Sequence, residues 1–387
     1  PSPSPAPAPA GSYPPQQRMS SQPVDNIGAM PGYLSSANFS ALGTKVKRIT
    51  DSSLGSGRLF RHAYSVRQPW NADGSKLLLV QSPTHLFDGR TYAPIGSLGL
   101  PGDAIWSNKD PDVIFGVSGN RFVKLKVSTR TQTTLRTFSQ YSAVHVGGGE
   151  GNVSDDDRRV ALIGVRSGGV DVLVYDIAND TVLATRRFDG YSGPWGDIDS
   201  AAISPSGRYV LVGMTRPGLS YALYDSQTMT FQRTLVDRQL SHGDMGYTAE
   251  GHEVLLTQAN GRSAMYSIRL SDGVQREEVP SSYMGWNQHT SCRNNLRPGW
   301  CYISTMYHNA NMGAYMYRQV FAVKLDGSGT VERYAPAAFA DNPADQAYLR
   351  QAHAVPSRDG QRVLFASDWR NASAGAPIHT YVAGVNP

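Results

Sequence analysis

The chain has 387 residues, a formal net charge of +5 and only 17% charged residues, with 39 glycines and 20 tyrosines. This balance favours an all-β protein with many turns, and no run of apolar residues is long enough for a transmembrane helix. The scattered basic residues either solvate the surface or attract an anionic polymer, and no interleaved basic and aromatic motif points to nucleic acid.

The N-terminal segment is rich in Pro, Ser, Ala and Gln over residues 1–23. Such a composition buries too little apolar area to fold, so we expect residues 1–35 to form a disordered linker before a domain at 36–387. The sequence does not begin with Met, which fits either a mature N-terminus after removal of a secretory signal or a fragment boundary. We expect a secreted or periplasmic protein.

From about residue 36 onward the chain repeats a strand, a turn and a second strand rich in Val and Leu. The second strands of seven such units begin near Lys76, Val113, Val160, Tyr209, Val254, Cys301 and Val363. Units of roughly 40–50 residues have the period of propeller blades. The seventh unit lacks an outer strand after Thr380–Val382, and Lys45–Thr50 can supply it and cover an exposed edge. The predicted fold is an all-β, seven-bladed β-propeller whose N-terminal strand closes the last blade.

Polar residues recur at the starts of the first strands, which line the channel of a propeller and open on one face. They are Arg67, Gln68, Trp106, His145, Asp197, Asp199, His242, Asp244, Gln288, His289, Gln351 and His353. One histidine in such a place is more often structural, but four of the nine histidines fall in this set. Neutral imidazoles with a carboxamide suit a divalent first-row metal.

Such a set can act on uronic acids. A cation beside a uronate carboxylate neutralises it and acidifies the proton on the adjacent carbon. A His or Tyr can then remove that proton, while an Arg binds the carboxylate through two hydrogen bonds.

The order of the blades and the closing stretch resemble oligogalacturonate lyases, seven-bladed propellers that cleave uronate chains by β-elimination. The similar segments are Ser241–Asp244, Asn287–Thr290 and Gln351–Asp368. The resemblance implies His242 as the general base. It also implies His289, Gln351 and His353 as ligands of a divalent metal such as manganese.

The chain departs from that family at two points. It has one histidine rather than two at the start of the seventh blade, so one metal ligand is missing or replaced. Arg216 is the nearest candidate for the carboxylate-binding arginine of the family. The sequence is also similar to ulvan lyases, seven-bladed propellers that act outside the cell on sulfated uronate polymers and rely on His, Tyr and Arg.

The two cysteines, Cys292 and Cys301, allow two interpretations. Their spacing fits facing positions on a hairpin, which favours a disulfide. They are alternatively zinc ligands, with His308 as a third ligand in the ulvan-lyase version. The expected cofactor is therefore a divalent metal: manganese, zinc or calcium.

The sequence thus predicts a polysaccharide lyase that cleaves an anionic, uronic-acid-containing polysaccharide, ulvan- or pectate-like, by β-elimination. The predicted catalytic residues are His242, His145, Arg216 and Tyr247, and the predicted substrate-binding residues are Arg67, Trp195 and Tyr191. We expect a monomer with no nucleic-acid partner. The alternatives are a non-catalytic envelope propeller that binds a glycan or a protein, and a metal-dependent hydrolase on the same scaffold.

Overall fold

The computed structural model describes residues 11–19, 27–147, 150–215, 221–237, 242–259, 262–284, 288–305, 318–337, 348–371, 373 and 375–387. Seven antiparallel sheets form from these residues, one for each predicted unit. They are the blades of an all-β, seven-bladed propeller, so the predicted fold is confirmed.

Three strands and a short helix precede the first blade. They are β1 (Gln17–Arg18), β2 (Ser36–Phe39), the 3-10 helix Ser40–Leu42 and β3 (Thr44–Arg48). A second 3-10 helix spans Ser52–Leu54. Blade 1 has β4 (Lys76–Leu78), β5 (Leu86–Asp88) and β6 (Pro94–Gly96). Blade 2 has β7 (Gly102–Trp106), β8 (Val113–Ser118), β9 (Arg121–Lys126) and β10 (Thr131–Thr137).

The next three blades each have four strands. Blade 3 has β11 (Ala143–His145), β12 (Arg159–Arg166), β13 (Gly169–Asp176) and β14 (Thr181–Asp189). Blade 4 has β15 (Ile198–Ile203), β16 (Tyr209–Met214), β17 (Tyr221–Asp225) and β18 (Phe231–Val236). Blade 5 has β19 (Asp244–Tyr247), β20 (Glu253–Gln258), β21 (Met265–Arg269) and β22 (Gln275–Val279).

The last two sheets have five strands, because N-terminal strands join them. Blade 6 has β23 (Gln288–Ser291), β24 (Trp300–Thr305), β25 (Gln319–Lys324) and β26 (Thr330–Pro336), extended by β1. Blade 7 has β27 (Val355–Pro356), β28 (Arg362–Ser367) and β29 (His379–Gly384), extended by β3 and β2. Val46 of β3 pairs with Ala383 of β29, so the predicted closure of the last blade is confirmed.

A recurrent turn links the first and second strands of the blades. The turns Asn71–Gly74, Ser154–Asp157, Ser204–Gly207 and Ser357–Gly360 each have an N–H of the fourth residue donating to the carbonyl of the first. The side-chain oxygen of the first residue accepts the N–H five residues on in all four turns. The fourth residue has φ between 61° and 77°. It is glycine in three turns, which avoids a Cβ clash, and Asp157 in the other, a residue type that tolerates this region.

The core lies between the blades. Seven clusters of buried apolar side chains each fill a contact between neighbouring sheets. One of them packs Leu364 and Val382 of blade 7 against Leu77 and Phe87 of blade 1. Because each blade is covered on both faces, its middle strands read as nearly continuous apolar runs. Two features therefore close the ring: the side-chain packing between blades 7 and 1, and the pairing of β3 with β29 in blade 7.

Part of the segment that was predicted to be a linker contacts the folded ring. In residues 11–19, β1 pairs with β26, and the Tyr13 hydroxyl donates to the Asp359 carbonyl at 3.0 Å. The Arg297 guanidinium lies 3.7 Å from the centre of the Tyr13 ring. A few backbone bonds and one cation–π contact therefore hold this segment, although its composition predicts disorder. Residues 1–10 and 20–26 lie outside the described residues.

The two cysteines form a disulfide, which rules out their role as zinc ligands. The bond joins the neighbouring strands β23 and β24 at their ends, where the Cα atoms are 4.5 Å apart. Gly246 of the adjoining blade 5 faces it. A Cβ on Gly246 would lie 2.6 Å from the Cβ of Cys292, so only glycine lets blade 5 approach this closely. His308, the third proposed zinc ligand, lies outside the described residues.

Removal of the disulfide should lower stability without changing the fold. We expect the double substitution Cys292→Ala and Cys301→Ala to lower the free energy of unfolding by about 2–4 kcal/mol. The measurement is urea denaturation followed by tryptophan fluorescence, with the wild type in reductant as control. An unchanged midpoint would show that the bond contributes nothing to stability.

Candidate functional site

The candidate site is a cavity of about 500 Å³ on the face where the first strands of the blades begin. Its lining includes His242, Tyr64, Tyr348, Arg61, Arg67 and Glu150. Asp199 and Trp195 complete the side of blade 4. A concave pocket of this size with convergent polar groups is the usual form of a small-ligand site.

Three imidazoles meet at this cavity, and His242 is the one that lines it. His242 and His353 lie just before the first strands of blades 5 and 7, and His289 lies in the first strand of blade 6. A parallel β-bridge between His242 and His289 ties blades 5 and 6, and their ring centroids are 4.4 Å apart. The rings of His289 and His353 stack at 3.8 Å, and Gln351 Oε1 lies 2.7 Å from His289 Nε2. His353 has φ of 43°, a conformation that a side chain rarely adopts and that functional sites favour.

Burial keeps these imidazoles neutral. It lowers the pKa of His242 to about 4, and the pKa values of His289 and His353 lie well below the ordinary value. Burial is the largest cause at all three, because charging an imidazole away from water is unfavourable. At neutral pH each ring is therefore uncharged, and one of its two nitrogens carries a lone pair instead of a proton.

Tyr64 connects His242 to the cavity. Its hydroxyl lies 2.5 Å from His242 Nδ1 and also hydrogen-bonds Tyr348. Its ring packs edge-on against His289, with centroids 5.3 Å apart. Burial, followed by the charge of Glu150, raises the pKa of Tyr64 well above its ordinary value, so the hydroxyl keeps its proton.

Two arginines line the cavity in different ways. Arg67 donates to the carbonyls of Asp103 and Val146, both at 2.9 Å. Arg61 is only 1% exposed and donates from Nη1 to the Leu349 carbonyl at 2.8 Å, and its Nε has no partner. Within the described residues Arg61 forms no ion pair with a carboxylate. Burial lowers the pKa of Arg61 to about 10, so this guanidinium remains charged at neutral pH.

Two carboxyl groups, Glu150 and Asp199, line the same cavity as the arginines. Burial, and then the charge of Asp199, raises the pKa of Glu150 to about 7. Burial also raises the pKa of Asp199. The cavity therefore holds the Arg61 guanidinium, which has no carboxylate partner among the described residues, and the Glu150 carboxyl group, which is partly protonated at neutral pH.

The predicted metal ligands fit a divalent cation by their chemistry. Among the described residues no group of three or more His, Cys, Asp or Glu side chains is arranged to hold a metal ion. The predicted set, however, takes its third donor from the Gln351 amide. The Nδ1 atoms of His289 and His353 are buried and have no hydrogen-bond partner. In a neutral imidazole such an atom carries a lone pair that can bind a metal ion.

The structure brings some of the predicted residues together and separates others. His242, His289, Gln351 and His353 cluster, and Arg67 and Trp195 line the same cavity as His242. His145 lies on the far side of Trp195, 3.7 Å from an oxygen of Asp103. Tyr191 packs on Phe188 and lines neither of the cavities near Trp195. Arg216 lies outside the described residues.

Tyr247 is not placed beside His242. It follows His242 by five positions along the first strand of blade 5, which carries it about 16 Å toward the other end of the channel. There it lines a separate cavity with Asp155, Arg293 and Arg358. The tyrosine that lies beside His242 is Tyr64.

Sequence analysis missed Arg61, His62 and Tyr64. These residues form one segment before the first strand of blade 1, and His62 Nε2 lies 2.6 Å from the His353 carbonyl. The signal was present in the sequence as an Arg-His-Ala-Tyr run that ends three residues before Arg67. This segment reaches the site by crossing the mouth of the channel. The alternation of side chains along a strand does not predict that path.

At the opposite end of the channel lies Asp155, a carboxyl group whose ionisation affects the stability of the fold. Burial raises the pKa of Asp155 to about 6, against the attraction of Arg293 and Arg358. A raised carboxyl pKa means that the folded state binds more protons than the unfolded state, so stability falls as pH rises from about 4 to 6.

We therefore expect Asp155→Asn to stabilise the protein relative to the wild type as pH rises. The difference in unfolding free energy should grow by about 1–2 kcal/mol between pH 4 and pH 7, since water in the cavity reduces the full effect. Thermal unfolding of both proteins across this range measures it, with the exposed Asp110→Asn as control. A difference independent of pH would contradict the raised pKa.

Comparisons with known proteins identify the fold only. No protein-family model matches the chain, and no curated protein matches it in sequence. Oligogalacturonate lyase from Vibrio parahaemolyticus is similar in structure, with a TM-score of 0.66 at 13% identity over 90% of this chain and 96% of that one. A chain of a mitotic checkpoint complex matches with a TM-score of 0.53 at 11% identity, over 92% of this chain and 97% of that one. A shared fold at these identities does not imply a shared function.

In the described part of the chain, no helix is long and apolar enough to span a membrane.

Proposed function

We propose that the protein is a polysaccharide lyase that cleaves a uronic-acid-containing polysaccharide by β-elimination. The observation that carries the proposal is one cavity that holds a neutral His242, a protonated Tyr64 bound to it, and the Arg61 guanidinium without a carboxylate partner. These are the three groups that elimination next to a carboxylate requires: a base, an acid and a cation.

The proton can move through His242 and Tyr64. When Nδ1–H of His242 donates to the Tyr64 oxygen, Nε2 is free to take the proton from the carbon next to the uronate carboxylate. The electron pair left on that carbon forms a double bond to the neighbouring carbon as the bond to the glycosidic oxygen breaks. Tyr64 gives its proton to that oxygen and receives one from Nδ1 of His242. The enzyme ends neutral, and the new non-reducing end is unsaturated.

Arg61 supplies the charge for this step. As the proton leaves, negative charge spreads from the carbon onto the uronate carboxylate, and a buried guanidinium stabilises it more than water does. His289, Gln351 and His353 would hold a divalent cation, and such a cation adds positive charge that acidifies the same proton. The disulfide supports an oxidising compartment, in accord with an enzyme that meets polymers outside the cytoplasm.

The test is the appearance of unsaturated uronate, followed by ultraviolet absorbance on a panel of uronate polymers with and without a chelator. Elimination predicts rising absorbance on at least one polymer. A loss of signal on chelation, with recovery on adding manganese, would support a metal in the reaction. A flat trace on every polymer, with metal supplied, would favour the non-catalytic binding propeller.

A further inference from the structure

A second cavity, of about 510 Å³, adjoins the His242 cavity on the same face. It lies over blades 2 and 3, and its lining includes Val117, Ser118, Gln132 and His145. Pro101, Asp103 and Trp195 line both cavities. The two cavities therefore form one groove, and each has a volume that suits a small ligand.

Trp195 stands between the two cavities as a fixed, exposed surface. Trp195 is 72% exposed, and its backbone has φ of 62°. The loop that carries it is held by Ser192, whose N–H and hydroxyl both donate to Asp197 Oδ2 at 2.9 Å. The His145 ring meets the indole edge-on, with centroids 6.4 Å apart. A held indole with an open face is suited to stacking on a sugar ring.

The charges of the two cavities differ. The first contains Arg61 and Arg67 together with the carboxyl groups of Asp103, Glu150 and Asp199. The second has no arginine or lysine among the described residues that line it, and its ionisable side chains are Asp103 and His145. Asp103 Oδ2 accepts the Val146 N–H at 2.9 Å. Burial opposes ionisation of Asp103, but His145 and Arg67 outweigh it and lower the pKa of this carboxyl. An ionised Asp103 accepts hydrogen bonds from sugar hydroxyls and repels a uronate carboxylate. In the first cavity Arg61 and Arg67 offset this repulsion, whereas no arginine or lysine among the described residues lines the second cavity.

We propose that the second cavity binds an uncharged sugar, stacked on Trp195 and hydrogen-bonded to Asp103, next to the uronate in the His242 cavity. This inference rests on the proposed function and narrows it. The substrate is then a polysaccharide in which a uronate alternates with a neutral sugar, rather than a chain of uronates only.

Binding can be measured without turnover in the His242→Gln variant, or in His242→Asn if that variant does not fold. The probes are two tetrasaccharides of equal length, one alternating hexuronate with an uncharged hexose and one of hexuronates only. Isothermal titration calorimetry should show about tenfold tighter binding of the alternating tetrasaccharide, since stacking and relief of charge repulsion both favour it.

Two further substitutions in that background assign the preference to residues. Trp195→Ala should weaken binding of the alternating tetrasaccharide about tenfold. Asp103→Asn keeps an acceptor for the Val146 N–H and should remove most of the discrimination against the uronate tetrasaccharide. Phe231→Ala removes another exposed aromatic residue, on the outer strand of blade 4, and should change neither affinity.

The outcomes separate this inference from the proposed function. Equal or tighter binding of the uronate tetrasaccharide, or no effect of Trp195→Ala, would overturn the neutral-sugar subsite whether or not the wild type is a lyase. If the binding preference holds while the wild type makes no unsaturated product from any polymer, the subsite stands and the lyase assignment fails.

Discussion

The substitution His242→Gln is expected to lower kcat for elimination by about 10³-fold. A positioned general base contributes roughly 10²–10⁴-fold to a proton transfer, and no other imidazole lines the cavity among the described residues. Glutamine retains a hydrogen-bonding group for Tyr64 but cannot accept the proton. The loss should appear in kcat, with KM changed little, because the uronate carboxylate is held elsewhere. Initial rates of unsaturated-product formation measure it.

A matched control is available in the same blade. His252 is exposed, so His252→Gln should leave the rate unchanged. Circular dichroism and the unfolding midpoint show whether His242→Gln retains the fold. A folded variant with more than about a tenth of wild-type kcat would contradict the role of His242 as the base.

The substitution Arg61→Lys is expected to lower kcat/KM by about 100-fold on a uronate polymer. Lysine keeps the charge but loses the planar pair of donors that matches a carboxylate. A hydrogen bond to a charged group contributes about 1.5–3 kcal/mol, and a loss of about 2.7 kcal/mol corresponds to this factor. Because charge grows on the carboxylate during the reaction, kcat should fall together with an increase in KM.

A change in the substrate tests this role of Arg61 independently. On a methyl-esterified uronate polymer the carboxylate is absent, so the difference between Arg61→Lys and the wild type should shrink to a few-fold. The exposed Arg121→Lys serves as the control for an arginine away from the site. A 100-fold penalty that persists on the ester would assign Arg61 to folding of the channel mouth instead.

The fold could be predicted from the sequence because its signals are local. Each blade repeats a turn that begins with a small polar residue and is followed by an apolar strand, and this pattern survives without knowledge of the partners. The closure by β3 also followed, since the last unit lacked one strand. The pairing of β1 with β26 could not be predicted. Two residues with few apolar side chains carry no periodic signal, and their contact with Arg297 depends on the folded ring.

The site was predictable only in part for the same reason. His242, His289 and His353 stand at equivalent places in successive blades, so the repeat brings them together. Tyr247 was predicted to be catalytic, yet five residues of extended strand separate it from His242 by about 16 Å. Arg61 and Tyr64 reach the site through an irregular crossing of the channel mouth, which no period describes.

The most direct test of the central claim is the mass of the products released from an alternating uronate polymer by the purified protein. Elimination by His242 and Tyr64 predicts oligosaccharides with an unsaturated uronate at the non-reducing end, each lighter by one water than the hydrolysis product of the same length. The same digest with His242→Gln should contain almost none. Saturated oligosaccharides would identify a hydrolase and contradict the proposed function.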